Sequence, residues 1–239
     1  MQNKNSSKSL ALVYVWSKKI RFFHWLNVLC VFLLIAIGLI ILNSKALGVT
    51  SDGKILLKTC HVLVGYAFCI NLLCRVLVGF FGTGFEKWGA TLAFNKGFAS
   101  EFKKYRLGKT KHYKGHNPAG KLMITAMFLA LSVQMVSGLV IAGTDIYYPP
   151  LGGYFKEQVA IDSTQIKLIK PYSKVNIDAE KYQAMRDLRA PFITAHVYSF
   201  YLLLLLIPLH VAGVIFTERK EKSAITSAMI NGYKTLPKD

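Results

Sequence analysis

Four apolar stretches, each long enough to cross a lipid bilayer, constrain the fold of this 239-residue chain more than any other feature. They cover residues 20–42, 57–81, 118–142 and 191–217. A hydrocarbon core about 30 Å thick needs about 20 apolar residues in a helix, and each stretch exceeds that length. The only formal charges inside them lie towards an end, where long side chains reach the interface: Arg21, Lys58, Arg75 and Lys121. The sequence therefore predicts an all-α integral membrane protein, a four-transmembrane-helix bundle.

The basic residues are distributed unevenly around these stretches. Five basic and no acidic residues accompany the start of the first stretch, and residues 82–117 hold eight basic against two acidic residues. On the other side, residues 43–56 hold two against one, and residues 143–190 hold seven against six. Because cytoplasmic loops carry an excess of Lys and Arg, both termini are predicted to be cytoplasmic. Topology thus explains the net charge of +18, and nucleic-acid binding is not indicated.

The connecting segments indicate one domain, 1–239, without an internal repeat. Residues 88–105 mix Trp, Leu and Phe with several lysines, which predicts a helix on the cytoplasmic surface, either an anchor or a docking site. Residues 144–190 are the longest connection and are predicted to form a long periplasmic loop that caps the bundle. The cysteines form no CxxC or CxxCH motif and are interpreted as packing residues: Cys30, Cys60, Cys69 and Cys74.

Four of the six histidines lie within the apolar stretches: His24, His61, His196 and His210. An ionisable side chain inside a membrane is costly and indicates a function. His196 and His210 are separated by about 21 Å along one helix, close to four whole turns, so they share a face. In the predicted orientation His61 and His196 lie near the periplasmic surface, while His24 and His210 lie near the cytoplasmic surface. Depth therefore predicts two histidine pairs.

Two histidine pairs at two depths are what two six-coordinate b-type haems require, with one imidazole on each side of each iron. Small residues are expected beside such rings, and four glycines lie near the histidine levels: Gly38, Gly65, Gly138 and Gly213. For each histidine alone, an interhelical hydrogen bond is the alternative. A tetrahedral zinc site is less suitable because its ligands must converge on one point. A proton relay lacks an Asp or Glu within the spans.

Two further sets of residues lie at the predicted cytoplasmic level. Arg21 and Arg75 are candidate partners of the propionates of the inner haem, or ordinary interfacial anchors. His116 precedes the third stretch, where Asn117 and Pro118 are typical of a helix cap and a first helical position. This turn is either a simple cap or the border of a quinone pocket, in which His116 exchanges protons near neutral pH.

The motifs around these histidines resemble those of a known family. The first span opens with RFFHWLNVLCVFLLIAIGLII, the second reads HVLVGYAFCINLLCRVLVGFFG, the third opens with GHNPAGKLM, and the fourth contains HVYSFYLLLLLIPLHVAGV. Over nearly its whole length the chain resembles bacterial membrane cytochromes b of the cytochrome b561 and Ni-Fe hydrogenase b-subunit type. The resemblance implies a four-helix bundle with two b haems, ligated at His24, His61, His196 and His210. It also implies electron transfer between membrane quinone and a soluble partner, which is a hydrogenase, a c-type cytochrome or another reductase.

Together these features predict a di-haem cytochrome that passes electrons across the bacterial inner membrane between the quinone pool and a periplasmic partner. Such a chain is an electron-transfer subunit of an oxidoreductase rather than a self-contained enzyme. Its expected partners include membrane lipid, and the sequence is compatible with a homo-oligomer. A first alternative is a stand-alone superoxide:quinone oxidoreductase, with a positive approach formed by external lysines: Lys167, Lys170 and Lys174. A second alternative is a haem-free membrane transporter or assembly factor.

Overall fold

Four long helices dominate the computed structural model, which describes residues 10–109, 112–221 and 223–237. These helices are α1 (Lys18–Leu42), α2 (Ser51–Phe81), α5 (Pro118–Asp145) and α7 (Ala179–Glu221). Each is long and apolar enough to cross a membrane, as the sequence predicts. Lys4 and Lys8, which contribute to the basic N-terminus, lie outside the described residues.

Two of these helices begin well before the predicted spans, because polar residues cap them. The hydroxyl of Thr50 accepts a hydrogen bond from the Gly53 amide at 3.1 Å at the start of α2. The carboxylate of Asp178 accepts hydrogen bonds from the amides of Glu180 and Lys181, both at 3.0 Å, at the start of α7. Such side chains satisfy amides that have no partner inside the helix. The helical structure therefore extends into polar sequence that apolar composition does not detect.

The chain divides into two compact units, and each unit contains segments of all four long helices. The first unit comprises the residues through Trp25, Leu73–Phe128 and the residues from Leu204 onward. The second comprises Leu26–Leu72 and Leu129–Leu203. The assignment of 1–239 to a single domain stays a prediction.

The first unit contains a two-stranded sheet that the sequence analysis does not predict, so the fold is not purely α-helical. Strand β1 (Leu10–Tyr14) pairs antiparallel with β2 (Tyr233–Pro237). The short helix α8 (Ile225–Asn231) leads into β2 through Gly232, whose φ of +95° is left-handed. A Cβ at Gly232 would lie 2.5 Å from the ring of Tyr14, so only glycine allows this close approach.

The segment 88–105, predicted as one surface helix, forms two short helices, so the predicted single helix is wrong, while its place on the cytoplasmic surface stays a prediction. They are α3 (Trp88–Thr91) and α4 (Phe98–Arg106). Between them Gly97 takes a left-handed φ of +95°, and the amide of Phe98 donates to the carbonyl of Asn95 at 3.2 Å. Glycine adopts this conformation without a steric penalty, and Gly97 turns the chain directly before α4.

In the second unit, the connection between α5 and α7 is partly helical, whereas the sequence predicts only a long connection over 144–190, whose periplasmic position stays a prediction. It contains α6 (Gly152–Val159) and a 3₁₀ helix (Ser163–Leu168). It also has a small apolar core of its own, whose buried members are Tyr147, Val159, Ala160, Ile169 and Met185. The ends of the predicted loop belong to α5 and α7.

All four cysteines are free, as their spacing predicts. Cys30 and Cys69 are buried and pack inside the protein, whereas Cys60 and Cys74 are exposed. The packing interpretation therefore holds for only two of them.

Candidate functional site

The clearest site in the second unit is formed by His61 of α2 and His196 of α7. Their ring centroids are 6.3 Å apart, and the ring planes meet at 68°. Two imidazoles on opposite sides of one metal ion, with bonds of about 2.0 Å and about 1.1 Å from nitrogen to ring centre, have centroids about 6 Å apart. The structure thus brings together two histidines that are predicted to lie at the same depth in the membrane. Their separation fits one metal ion between them.

Glycines on the two other long helices make room for these rings. A Cβ at Gly38 of α1 would lie 3.4 Å from Cε1 of His61. A Cβ at Gly138 of α5 would lie 3.3 Å from Cε1 of His196. A Cβ at either position would thus already touch the ring, so the glycines allow the two rings to pack closely against α1 and α5. Both glycines lie at the level at which the sequence analysis places them.

Helix α5 also orients His196, through two residues that the sequence analysis misses. The hydroxyl of Ser137 lies 2.9 Å from Nδ1 of His196, and the amide of Gln134 donates to the His196 carbonyl at 2.9 Å. A hydrogen bond to one ring nitrogen orients the other nitrogen towards a metal. A signal exists in the sequence, because Gln134, Ser137 and Gly138 are polar or small residues at helical spacing within an apolar span.

The second predicted pair, His24 of α1 and His210 of α7, lies in the first unit. The two rings are close enough to interact electrostatically. Trp25 lies beside His24, with ring centroids 5.2 Å apart, and its Nε1 donates to the carbonyl of Met229 at 2.9 Å. The last turn of α8 therefore holds α1 in place at the level of His24.

Both histidine pairs fit haem better than zinc. Among the described residues, Nδ1 of His24 and Nδ1 of His61 are buried without a hydrogen-bond partner, a condition that costs about 1–3 kcal/mol per group. Open space surrounds the position at which a side chain would begin at Gly65 and at Gly213. Across the described residues, no group of three or more His, Cys, Asp or Glu could hold a metal ion. A planar haem needs that open space and takes only two protein ligands.

Arg75 of α2 is buried in the first unit, with 4% of its surface exposed. Its guanidinium lies 4.5 Å from the ring centroid of Trp88 and 5.6 Å from that of Phe128. One nitrogen, Nη2, donates to Thr91 Oγ1 at 3.4 Å, while Nη1 is buried and has no hydrogen-bond partner in the described part of the chain. Gly79 makes this arrangement possible, because a Cβ there would lie 2.1 Å from the indole of Trp88. An unpaired donor on a buried cation is suited to a carboxylate.

Arg21 of α1 has a similar unpaired donor. Its Nη1 donates to the carbonyl of Ile230, while Nε is buried without a partner. The structure therefore leaves both predicted propionate partners, Arg21 and Arg75, with a donor available in the unit that contains His24 and His210.

The turn before α5 has the predicted capping geometry. Helix α5 begins at Pro118, and the side-chain oxygen of Asn117 accepts a hydrogen bond from the Gly120 amide at 2.7 Å. The interpretation of Asn117 as the helix cap is confirmed.

The ring of His116 packs against Trp16, with centroids 4.5 Å apart. Burial first, and then nearby positive charges such as that of Lys234, lower the pKa of His116 to about 3. The imidazole is therefore neutral at pH 7, contrary to the expectation that it exchanges protons near neutral pH. Its position at the border of a quinone pocket stays a prediction.

A charged cluster joins three long helices in the second unit. Asp145 of α5 forms ion pairs with Lys58 of α2 and with Arg189 of α7, the latter at 2.8 Å. Lys58 also donates to the hydroxyl of Tyr172 at 2.6 Å, and Arg189 donates to the Thr144 carbonyl at 3.0 Å. Asp145 lies at the end of α5, beyond the predicted span 118–142, so the predicted spans themselves contain no acidic residue.

Comparisons with known proteins indicate the family of the chain. The family model described as prokaryotic cytochrome b561 matches residues 15–232. A protein of Cupriavidus necator named "probable Ni/Fe-hydrogenase B-type cytochrome subunit" is 22% identical, over 97% of this chain and 90% of that protein. Proteins with the same name from Bradyrhizobium diazoefficiens (24% identical, 93% and 85% covered) and Rhodobacter capsulatus (22% identical, 95% and 83% covered) are similar over comparable lengths. No solved structure matches the chain.

The family model spans most of the chain, from before α1 to the end of α8. Its extent agrees with four helices that are long and apolar enough to cross a membrane. The chain is therefore a multi-pass membrane protein that belongs to the prokaryotic cytochrome b561 family.

Proposed function

We propose that this protein is a di-haem b-type cytochrome that carries electrons across the inner membrane, between the quinone pool and a periplasmic redox partner. The spacing of His61 and His196 carries the proposal, because it fits one metal ion between two imidazoles. His24 and His210 would hold the second haem. Membership of a cytochrome b family supports haem b as the cofactor.

When bound, haem supplies reversible one-electron transfer at its iron, and the chain controls the surroundings of that iron. The imidazoles of the two pairs would hold the iron. Ser137 holds His196 in one orientation, which would leave its other nitrogen free to bind the metal. Arg21 and Arg75 present unpaired donors to the propionates of the haem between His24 and His210. The apolar helices exclude water and lower the local dielectric constant.

The distribution of basic residues supports cytoplasmic termini, which assigns His24 and His210 to the inner level and His61 and His196 to the outer level. We assign the quinone reaction to the inner level, beside the turn that contains His116. Since that imidazole is neutral, it would hold a quinone oxygen by a hydrogen bond and not by charge.

The names of the relatives support a hydrogenase as the periplasmic partner. A c-type cytochrome or another reductase subunit is the alternative partner, and a homo-oligomer is compatible with either. In each case the chain acts as the electron-transfer subunit of an oxidoreductase.

Visible spectroscopy of the detergent-purified protein tests the proposal directly. Reduced b-type bands with two haems per chain are expected, and a protein without Soret absorption would refute the assignment in favour of a haem-free transporter or assembly factor. His61→Ala and His196→Ala should each remove one and the same haem, while His24→Ala and His210→Ala remove the other. Loss of a shared haem in His61→Ala and His210→Ala would refute the pairing.

A stand-alone superoxide:quinone oxidoreductase is a second candidate, because three lysines of the connection between α5 and α7 are exposed: Lys167, Lys170 and Lys174. Exposed positive charge attracts a small anion and raises its rate of encounter. Quinone reduction by superoxide without any added partner would favour this candidate. Activity only with a co-purifying redox protein would favour the electron conduit.

A further inference from the structure

The second unit contains a cavity of about 360 Å³ that the proposed function does not use. Its lining residues come from the end of α1, the start of α2 and the connection before α7: Ile41, Ser44, Ser51, Lys54, Lys58 and Tyr172. The lining is mostly polar and includes two lysines, which is typical of a site for an anion.

This cavity lies one helical turn from the pair His61 and His196. On α2, Lys58 precedes His61 by three residues and shares its face. On α1, Ile41 follows Gly38 by three residues, and Gly38 is the residue that packs against the His61 ring. Two helices therefore place the cavity directly next to the histidine pair.

Helices α5 and α7 contribute charged residues at the same end of the histidine pair as Lys58. Arg189 precedes His196 by two turns on α7, and Asp145 follows Gly138 by two turns on α5. Asp145 pairs with both Arg189 and Lys58. All four long helices thus contribute a cavity residue or a charged residue near the end of the site.

The charges of this cluster do not balance. The ion pairs of Asp145 with Lys58 and Arg189 leave one positive charge in excess, and Lys54, which lines the cavity with Lys58, adds a second. Only 8% of Arg189 is exposed, and its Nε is buried without a hydrogen-bond partner among the described residues. Partly buried positive charge without counter-charge is costly, so the cluster is suited to a ligand with two negative charges.

We propose that this cluster is a carboxylate site and that it receives the two propionates of the haem between His61 and His196. The assignment rests on the proposed function. Haem b carries two propionates, which match the excess of two positive charges, and the cavity adjoins the histidines that would ligate the iron. Lys54 and Lys58 are then positioning residues that also set the potential of this haem.

A redox titration of Lys54→Gln tests the proposal, because Lys54 lines the cavity and its loss leaves the ion pairs of Asp145 intact. Loss of a positive charge beside the haem stabilises the oxidised iron. One of the two redox steps should therefore move to lower potential, and the other should stay in place. Lys167→Gln, which removes an exposed lysine outside the cavity, should move neither step. Unchanged steps in Lys54→Gln would overturn the proposal.

The source of the carboxylates is tested with the dimethyl ester of haem b, which lacks both negative charges. Protein from which haem has been removed should bind this ester at the outer site about tenfold more weakly than haem b, as expected for loss of a structural partner. In Lys54→Gln and in Lys58→Gln the difference should shrink. Equal binding of ester and haem b, together with a saturable shift of the potential by added succinate, would show that a free dicarboxylate occupies the site and would refute the propionate assignment.

The haem content separates this inference from the proposed function. Two haems per chain in wild type and in Lys54→Gln, with unchanged potentials, reject the inference and leave the proposed function standing. Fewer than two haems in the wild-type protein would reject both.

Discussion

Ser137 illustrates how a single hydroxyl can decide what a histidine does. It lies in α5 with 2% of its surface exposed, and its oxygen is 2.9 Å from Nδ1 of His196. An imidazole held at one nitrogen presents the other in a fixed direction, which favours ligation over a transient interhelical contact. His61 has no such partner at Nδ1 within the described residues, so the two imidazoles of this pair are held differently.

Replacing Ser137 by Ala should weaken the haem held by His61 and His196, because His196 loses the hydrogen bond that orients it. Loss of an outer-shell partner of this kind typically lowers metal affinity about 10–100-fold. Haem-to-protein ratios after extended dialysis in detergent measure the effect.

Ser199→Ala is the matched control for this substitution. Ser199 is also buried, and its hydroxyl donates to the backbone carbonyl of His196 at 3.2 Å, whereas Ser137 bonds to the ring. Equal haem loss in both variants would show that Ser137 does not act through the imidazole.

Arg75 should affect the other haem. Arg75→Gln removes a buried positive charge in the unit of His24 and His210, so one redox step should move to lower potential. Arg75→Lys should move it less, because lysine keeps the charge but loses the planar contact with Trp88 at 4.5 Å. Arg106→Gln, at an exposed site on α4, is the control. If Arg75→Gln and Lys54→Gln shift the same redox step, the assignment of these residues to different haems is wrong.

At the scale of elements, the chain ends are joined by β1, β2 and α8, and Gly232 is the residue that makes this possible. Its carbonyl accepts hydrogen bonds from the amides of Val15 at 2.8 Å and Trp16 at 3.2 Å. The carbonyls just before it, of Met229 and Ile230, accept from side chains of α1 near His24. The C-terminal segment therefore supports the site in the first unit.

Gly232→Ala should detach this segment. A left-handed residue with a Cβ costs about 1–2 kcal/mol, and the added methyl would also lie 2.8 Å from the Trp16 carbonyl. We expect a lower melting temperature and earlier loss of the His24–His210 haem, followed by absorbance during heating. Gly153→Ala, in α6 with open space around its Cβ position, should leave both properties unchanged. Equal destabilisation by the two substitutions would argue against a supporting role for the C-terminal segment.

At the scale of the whole molecule, the placement of charge predicts the orientation in the membrane. A C-terminal fusion to green fluorescent protein should fluoresce, and a C-terminal fusion to alkaline phosphatase should be inactive, because the segments around the termini carry the excess of basic residues. The phosphatase should become active when fused within residues 169–175. The opposite pattern would reverse the proposed depth of every histidine.

Much of the fold could be predicted because a membrane restricts the alternatives. An apolar stretch in lipid must form a helix to satisfy its backbone, and the four helices follow from that requirement. The helix ends could not be predicted from apolarity, since Asp178 and Thr50 extend α7 and α2 through polar caps. The β1–β2 sheet joins residues more than 200 positions apart, and no local pattern predicts such a pairing.

The sequence predicted the histidines of the candidate site but not the residues that surround them. His24, His61, His196 and His210 could be identified because an ionisable residue in an apolar helix is conspicuous. Ser137 was missed because serine is common in membrane helices and its role depends on the neighbouring α7. The neutral state of His116 was missed because it depends on burial and on the charge of Lys234, which comes from the other end of the chain.

The sequence by itself determined that this chain has four membrane-spanning helices, that histidines occur on three of them, and which end of each helix carries positive charge. These properties follow from the local composition of the chain, because apolar residues partition into hydrocarbon and basic residues stay on the cytoplasmic side. Only the tertiary structure decided the separation of 6.3 Å between His61 and His196, the glycines that make room for them, and the cluster of Lys58, Asp145 and Arg189. Those contacts join residues that are distant in sequence, and they exist only when the helices pack against each other.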